Sequence, residues 1–236
     1  LSTEIVHKKY AAIDSPFGNG EVLHTGYVDT VALLNVYHTY LKSLGSFVEE
    51  AFVHSDLNFF EEYLVYQNLK AKHIVFAEGF GMHANPFFNH LPLDGTKGEL
   101  FIIKASDLDL DVIVNTSVFI LPLGNNLFKV GATYNWEDKT DIPTAEGKQE
   151  LIDRIKEILT CDFEIIDHFA GVRPTVKDRR PLLGSHHLHQ NIHILNGLGT
   201  RGVMLAPAMA LDLYDYIENN KPLDKTTDIK RYGLAK

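Results

Sequence analysis

The sequence predicts a mixed α/β chain in which three helices are set among short strands. Three observations carry this. Apolar residues recur at helical spacing over 30–44 and 145–159. The middle third runs as strand candidates split by turn residues, the pattern of an antiparallel sheet. Near the C-terminus a short apolar run leads through Gly197-Leu198-Gly199-Thr200-Arg201-Gly202 into a third helix. A length of 236 residues fits one large domain or two small ones, with ample material for a core.

Taken in order, the first segment alternates loosely around the turn signal Gly18-Asn19-Gly20. Strands are expected near Glu4–Ala11 and Glu21–Tyr27. Asp29-Thr30 then caps a helix whose apolar face is Val31, Leu34, Tyr37, Leu41 and Leu44, and Gly45 stops it. Phe47–Val53, Tyr63–Leu69 and Lys72–Ala77 read as strands. The last is closed by Glu78-Gly79-Phe80-Gly81, which lets the backbone turn sharply and approach a ligand closely. Gly98–Lys104, Val112–Leu121 and Leu127–Tyr134 follow as antiparallel strands. Pro122 and Gly124-Asn125-Asn126 separate the last two into a hairpin. Ala145–Leu159 is an amphipathic helix with Leu151, Ile152, Ile155, Ile158 and Leu159 on one face. A strand over Asp162–Gly171, a strand over Ile192–Asn196 and a helix over Val203–Glu218 complete the chain. Pro207 is expected within about the first turn of that helix, where proline is tolerated.

Composition narrows the function. The net charge of −9 argues against nucleic acid as the main partner. No run approaches the roughly 18 apolar residues of a membrane span. The single cysteine, Cys161, excludes an intrachain disulfide and fits a reducing compartment, so a cytoplasmic location is expected. His186, His187, His189 and His193 flank a predicted turn and strand rather than one helix face. Solvated surface histidines are therefore expected, with no metal site.

Gly197, Gly199 and Gly202 match G-x-G-x-x-G, but the helix is followed by Asn219-Asn220-Lys221-Pro222 and a polar tail instead of a second parallel strand. A dinucleotide fingerprint needs that strand. What survives is a glycine loop that presents free N–H groups and a positive helix end to an electron-rich group. A tight ligand-free turn stays open as the alternative. In Gly171-Val172-Arg173-Pro174, the proline restricts the arginine backbone, which suits bidentate capture of a carboxylate. A surface ion pair is the alternative there, and Asp178, Arg179 and Glu99 are ambiguous in the same way.

Gly171-Val172-Arg173-Pro174, then Asp178, Pro181 and Gly184, then Asn196-Gly197 through Gly202-Val203-Met204-Leu205-Ala206-Pro207-Ala208, together resemble the C-terminal signature of the D-amino-acid oxidase family of FAD-dependent oxidoreductases. Glycine oxidase, sarcosine oxidase and D-amino-acid dehydrogenases belong to that group. Val75-Phe76-Ala77-Glu78-Gly79 is similar to the family's strand-and-glycine cofactor contact. Pro92 with Lys97-Gly98-Glu99 resembles its Pro-x-Arg-Gly-Gln segment, with lysine for arginine. The resemblance covers nearly the whole chain and lacks the family's N-terminal strand–GxGxxG–helix finger.

The resemblance implies roles. Arg173 falls on the position that pairs with the substrate carboxylate, and Phe119 and Tyr134 on hairpin positions lining the substrate pocket. Phe119 stands where glycine oxidase has a tyrosine, which puts one hydroxyl contact in doubt. Gly79, Gly98, Gly197, Gly199, Thr200, Arg201, Gly202 and Val203 fall on cofactor-binding positions, the last five against the flavin pyrimidine edge. Arg201 departs from the family's usual residue. The family plan implies an FAD/NAD(P)-binding Rossmann-like portion from 21–85 and 171–236, and an antiparallel-sheet substrate domain from 1–20 and 86–170.

The implied activity is hydride transfer from the α-carbon of an amino acid or secondary amine to flavin N5, with no general base required. FAD is the expected cofactor of the complete enzyme. Without the finger, the open cofactor cleft would call for a partner chain or self-association. Two other readings stay open: an incomplete module that binds no FAD alone, and the flavin half of a tRNA-modifying oxidoreductase, which the acidic balance opposes.

Overall fold

A computed structural model describes residues 5–233. The expected first strand shrinks to β1 (Ile5–Val6), which pairs antiparallel with β2 (Asn19–Gly20). Its expected start at Glu4 lies outside the described residues. Glu21–Tyr27 is exposed irregular backbone, a correction to the strand reading. Apolar alternation makes a strand only where a neighbour takes up its N–H and C=O groups. Helix α1 (Thr30–Ser43) forms as expected. Asp29 accepts the amide of Ala32, and Gly45 ends the helix at φ +63°. Phe47–Val53 is again irregular rather than a strand, but Phe52 stacks on Tyr66 at 4.2 Å.

β3 (Leu57–Phe59), β4 (Leu64–Tyr66) and β5 (Leu69–Ala71) form an antiparallel meander. Gln67, at φ +52°, turns the chain inside what the sequence suggested was one strand. β6 (Ile74–Phe76) follows. Then come β7 (Thr96–Lys104), β8 (Val114–Asn115), β9 (Phe119–Gly124) and β10 (Leu127–Gly131). Thr116 breaks the expected Val112–Leu121 strand by donating its amide to Val118. Asn125 and Asn126, both at positive φ, make the β9–β10 turn. Pro122 lies inside β9 opposite Phe128 instead of ending it.

Helix α2 (Ala145–Lys156) starts at Thr144, whose hydroxyl accepts from Gly147. β11 (Glu164–Arg173) runs far enough to include Arg173. β12 (Leu182–Ser185) is a buried strand in a stretch to which the sequence assigned no element, and it pairs with β13 (Ile192–Asn196). Helix α3 (Gly202–Glu218) holds Pro207 one residue beyond the expected first turn.

The chain divides into two compact units. The first comprises the described residues up to Leu23 with Asp94–Thr175, and the second comprises His24–Leu93 with the described residues from Val176 on. The crossings fall three, eight and five residues C-terminal to the boundaries the family plan implied, after 20, 85 and 170.

The first unit is built on the sheet β11-β7-β10-β9-β8. Residues directly opposite across antiparallel strands share a face. Ile120, Val130, Phe101 and His168 form one such row, and Phe101, Ile103, Ile120 and Val130 pack with Leu151 and Ile155 of α2 in the core. Phe119, Gly131, Leu100 and Phe169 form the alternate row on the other face. The second unit carries the sheet β12-β13-β6, in which β13 and β6 run parallel. Its core gathers Leu64, Phe76, Met82, Phe88, Leu182, Ile192 and Ile194. No residue of α1 is buried, and Leu213 is the one buried residue of α3. Among the described residues no helix is long and apolar enough to cross a membrane.

Candidate functional site

Arg173 ends β11 opposite Thr96, and its side chain lies across Gly98. A Cβ at position 98 would collide with the guanidinium Nη2 and Cζ, so a side chain there would displace Arg173 from this seat. The guanidinium stacks on the Tyr134 ring at 4.7 Å, and Nη1 donates to the Thr133 carbonyl at 3.3 Å. Burial pulls its pKa below the usual arginine value, and the one charge-bearing neighbour that raises it is Tyr134. No carboxylate among the described residues pairs with it. A guanidinium fixed this way, with donors unspent, is a receptor for a planar anion. Phe119 shares this sheet face. Its ring edge comes within 3.3 Å of where a Cβ on Gly131 would sit. The structure therefore brings Arg173, Tyr134, Phe119 and Gly98 into one unit.

The opposite face of β7 carries a charged cluster that sequence reasoning missed. Lys97 is 1% exposed and Glu99 3%. Lys97 Nζ donates to Asp138, to Thr140 Oγ1 at 3.2 Å and to the Ile142 carbonyl. Lys97 holds the Asp138 carboxyl down to about 2. Glu99 accepts from the Thr144 hydroxyl at 2.7 Å and the Thr144 amide at 3.0 Å, at the N-terminus of α2, where a carboxylate is stabilised. Gly147 is needed there, because a Cβ would approach the Glu99 carboxyl carbon to 2.4 Å. His168 Nε2 lies 2.7 Å from Glu99 Oε2, within ion-pair distance but out of line for a hydrogen bond.

The backbone around Tyr134 is held by the same strand. Thr133 Oγ1 accepts the Glu99 amide at 2.9 Å, and Asn135 exchanges two backbone bonds with Lys97 at 2.9 and 3.0 Å. Glu99, ambiguous in sequence, is thus a buried structural anion. Asp178 pairs with Arg231 at 3.0 Å and accepts from Tyr232 at 2.7 Å, which fixes its loop.

In the second unit the two glycine loops share one end of the sheet. Gly79 follows β6 and Gly197 follows β13, so both lie past the carboxyl ends of adjacent parallel strands, the common ligand position in such sheets. Asn196 ties them together. Its Nδ2 donates to the Gly79 carbonyl and its Oδ1 accepts from the Gly197 amide, each at 2.8 Å. Gly79, Gly197 and Gly199 all have positive φ. A Cβ on Gly79 would meet nothing within 4 Å, so the approach to that loop is open. No side chain caps the first turn of α3, which is entered through the 3-10 turn Gly199–Arg201. Thr200, Arg201 and Val203 are exposed and Gly202 is half-buried. Arg201 leans toward the Arg179 carbonyl, 3.5 Å away. After α3 the chain forms a short 3-10 turn over Ile229–Tyr232 and no further strand among the described residues, in keeping with the rejected dinucleotide fingerprint. The positive end of α3 and the open Gly79 loop suit the electron-rich edge of a flat ring.

The histidine expectation needs correction. His193 is 2% exposed and lies between Ser185 Oγ at 2.9 Å and His73 at 3.0 Å; burial is the main cause that holds it down to about 4. His186 is also buried. No group of three His, Cys, Asp or Glu residues among those described is placed to hold a metal ion.

The family model for DAO, FAD dependent oxidoreductase, matches residues 1–215. The chain belongs to this family. Glycine oxidase of Bacillus subtilis is 26% identical over 232 residues, covering 92% of this chain and 62% of that protein. The tRNA 5-methylaminomethyl-2-thiouridine biosynthesis bifunctional protein MnmC of Marinobacter nauticus is 27% identical over 167 residues, covering 64% of this chain and 26% of that one. Among solved structures, iminodiacetate oxidase from Chelativorans sp. BNC1 shares the fold at a TM-score of 0.71 and 21% identity, over 85% of this DAO-family chain and 58% of that one. The chain spans less than two thirds of the length of each.

Proposed function

We propose that this DAO-family chain carries the flavin-ring and substrate-binding part of an FAD-dependent enzyme that oxidises the C–N bond of an amino acid or secondary amine. The observation that carries the reading is the Arg173 guanidinium, half-buried, stacked on Tyr134, seated over Gly98 and without a carboxylate partner among the described residues. In this reading Arg173 takes the substrate carboxylate, and Tyr134 and Phe119 flank the substrate. The clamp orients the α-carbon, and orientation supplies much of the rate. No side chain is assigned as a base.

Gly79, Gly197, Gly199, Thr200, Arg201, Gly202 and Val203 are the proposed flavin-ring contacts. Gly98 contributes by making room for Arg173. When bound, the flavin supplies the acceptor, at N5, for the hydride that leaves the substrate α-carbon. The N-terminal end of α3 then favours the negative charge that reduction brings. The exposed apolar residues of α1, among them Val31, Leu34 and Val36, support a partner chain or a second copy covering this unit.

The test is an absorbance spectrum of the purified chain before and after addition of FAD, followed by anaerobic titration with glycine, sarcosine, proline and D-amino acids. Retained flavin that bleaches with one of these, and bleaches poorly in Arg173→Met, is the expected result. No retained flavin in excess FAD would leave the incomplete-module reading standing. The MnmC match favours one second reading, an amine carried on tRNA, which salt-dependent tRNA binding would establish against the net charge of −9.

A further inference from the structure

The second unit contains a cavity of about 210 Å³ that the flavin reading does not use. Its polar lining is His90, Ser185, His186, His187, Gln190 and Lys230, set on an apolar floor. Among the described residues no carboxylate lines it, in a chain whose net charge is −9. Every ionisable side chain on its described wall is therefore a lysine or an imidazole.

The hydrogen bonds assign donors and acceptors. His186 Nδ1 accepts the backbone amides of Leu188 at 3.3 Å and His189 at 3.2 Å. An imidazole nitrogen that accepts carries no proton, so the proton of the neutral ring sits on Nε2 and makes that atom a donor. Burial first, and the neighbouring imidazoles second, hold His186 down to about 4, which keeps this tautomer neutral at pH 7. Ser185 Oγ is positioned from behind by His193 Nδ1 at 2.9 Å and Tyr216 Oη at 3.2 Å. Lys230 Nζ has the Tyr216 ring beside it at 5.9 Å and no ion-pair partner among the described residues. The result is a small recess lined by Lys230, whose ammonium has no ion-pair partner among the described residues, a fixed imidazole N–H and further imidazoles, with the Ser185 hydroxyl proton already given to Tyr216. The ammonium and the imidazole N–H groups can donate to or attract negative oxygen.

We propose that this cavity is a binding site for a small oxyanion, phosphate or carboxylate in class. The site lies wholly within the second unit and rests on no part of the flavin reading.

The experiment titrates inorganic phosphate, and separately malonate, into the full 236-residue chain. Calorimetry and the NMR signals of the Leu188 and His189 amides and the histidine rings report binding. Saturable binding with a Kd of about 1 mM or tighter is expected for one of the two anions, and the tighter one names the source. Lys230→Ala and His187→Asn should each weaken it about fivefold or more. Both residues lie away from the core, so their substitution should leave the fold intact, and retained amide dispersion checks this. Glu150→Gln on α2, in the other unit, should leave binding unchanged. Absence of saturation at about 20 mM of either anion, far above that Kd, would overturn the proposal, as would equal affinity in wild type and the Lys230→Ala/His187→Asn double variant.

Discussion

Helices α1 and α2 are of similar length, 14 and 12 residues, and both show apolar residues at helical spacing, yet their fates differ. α2 buries Gly147, Leu151 and Ile155 against a five-stranded sheet. α1 buries nothing, and its unit holds two three-stranded sheets, one with a parallel pair. An amphipathic pattern therefore records that a helix is meant to be covered, without recording by what. The first unit carries its own cover. The second displays a helix with exposed apolar residues and open glycine loops, the surfaces to which the proposed flavin and the proposed partner are assigned.

The contrast can be broken most sharply at the buried charges of the first unit. Lys97→Met removes the cation beside Asp138 and Glu99 and should cost about 3–5 kcal/mol, as breaking one side of a buried ion pair does. Lys97→Arg should recover part of that. Denaturant unfolding of both variants measures it. Next, Leu151→Ala should cost about 2–5 kcal/mol, the range for a fully buried leucine, whereas Leu34→Ala on α1 should stay within about 0.5 kcal/mol. Comparable losses at the two positions would mean that α1 is packed in solution.

Gly98→Ala should act on binding by displacing the guanidinium. It should raise KM for a carboxylate-bearing amine about 100-fold, a loss of about 2.7 kcal/mol. Arg173→Met should do the same, and the double variant should be no worse than either, because both remove one clamp. Additive effects would separate Gly98 from Arg173.

The smallest expected effect is a difference in acid sensitivity. His186 and His193 in the second unit are each held at about 4 against an ordinary 6.5. The unfolded chain therefore binds more protons there, and stability present above 6.5 is lost as pH falls toward 4. In the first unit Asp138 is depressed from 3.8 to about 2, so its contribution is lost only below about 3.8. Hydrogen exchange followed by unit against pH should show the second unit opening first. Simultaneous loss of protection would contradict the assignment.

Much of this was legible in the sequence where the signal is local. The helix spans, the Asp29 cap, the Asn125-Asn126 hairpin and the glycine turns each depend on residues close in sequence. What was not legible depends on distant partners. Glu21–Tyr27 and Phe47–Val53 have strand-like composition but no neighbouring strand to pair with. β12 follows Arg179, Arg180 and Pro181 and contains Gly184, residues with no strand signal of their own, and only pairing with β13 makes it a strand. Glu99 is ambiguous in the sequence, and Lys97 is read only for its resemblance to the family's Pro-x-Arg-Gly-Gln segment; it takes Asp138, Thr140 and Thr144 to make their burial tolerable. His193 is the same case, hidden by its neighbours His187 and His189 and decided by Ser185 and His73.

The bare flanks of α1 also make it an indicator. A helix of this length that buries none of its residues is marginal in water, because nucleation costs more than a few turns return. Its backbone should therefore melt gradually and at low temperature, ahead of the cooperative transition of the sheets. Whatever covers it should convert that gradual loss into part of the main transition. Far-UV ellipticity recorded during a slow temperature ramp would then report, with no added label, how much of the chain population has found its cover.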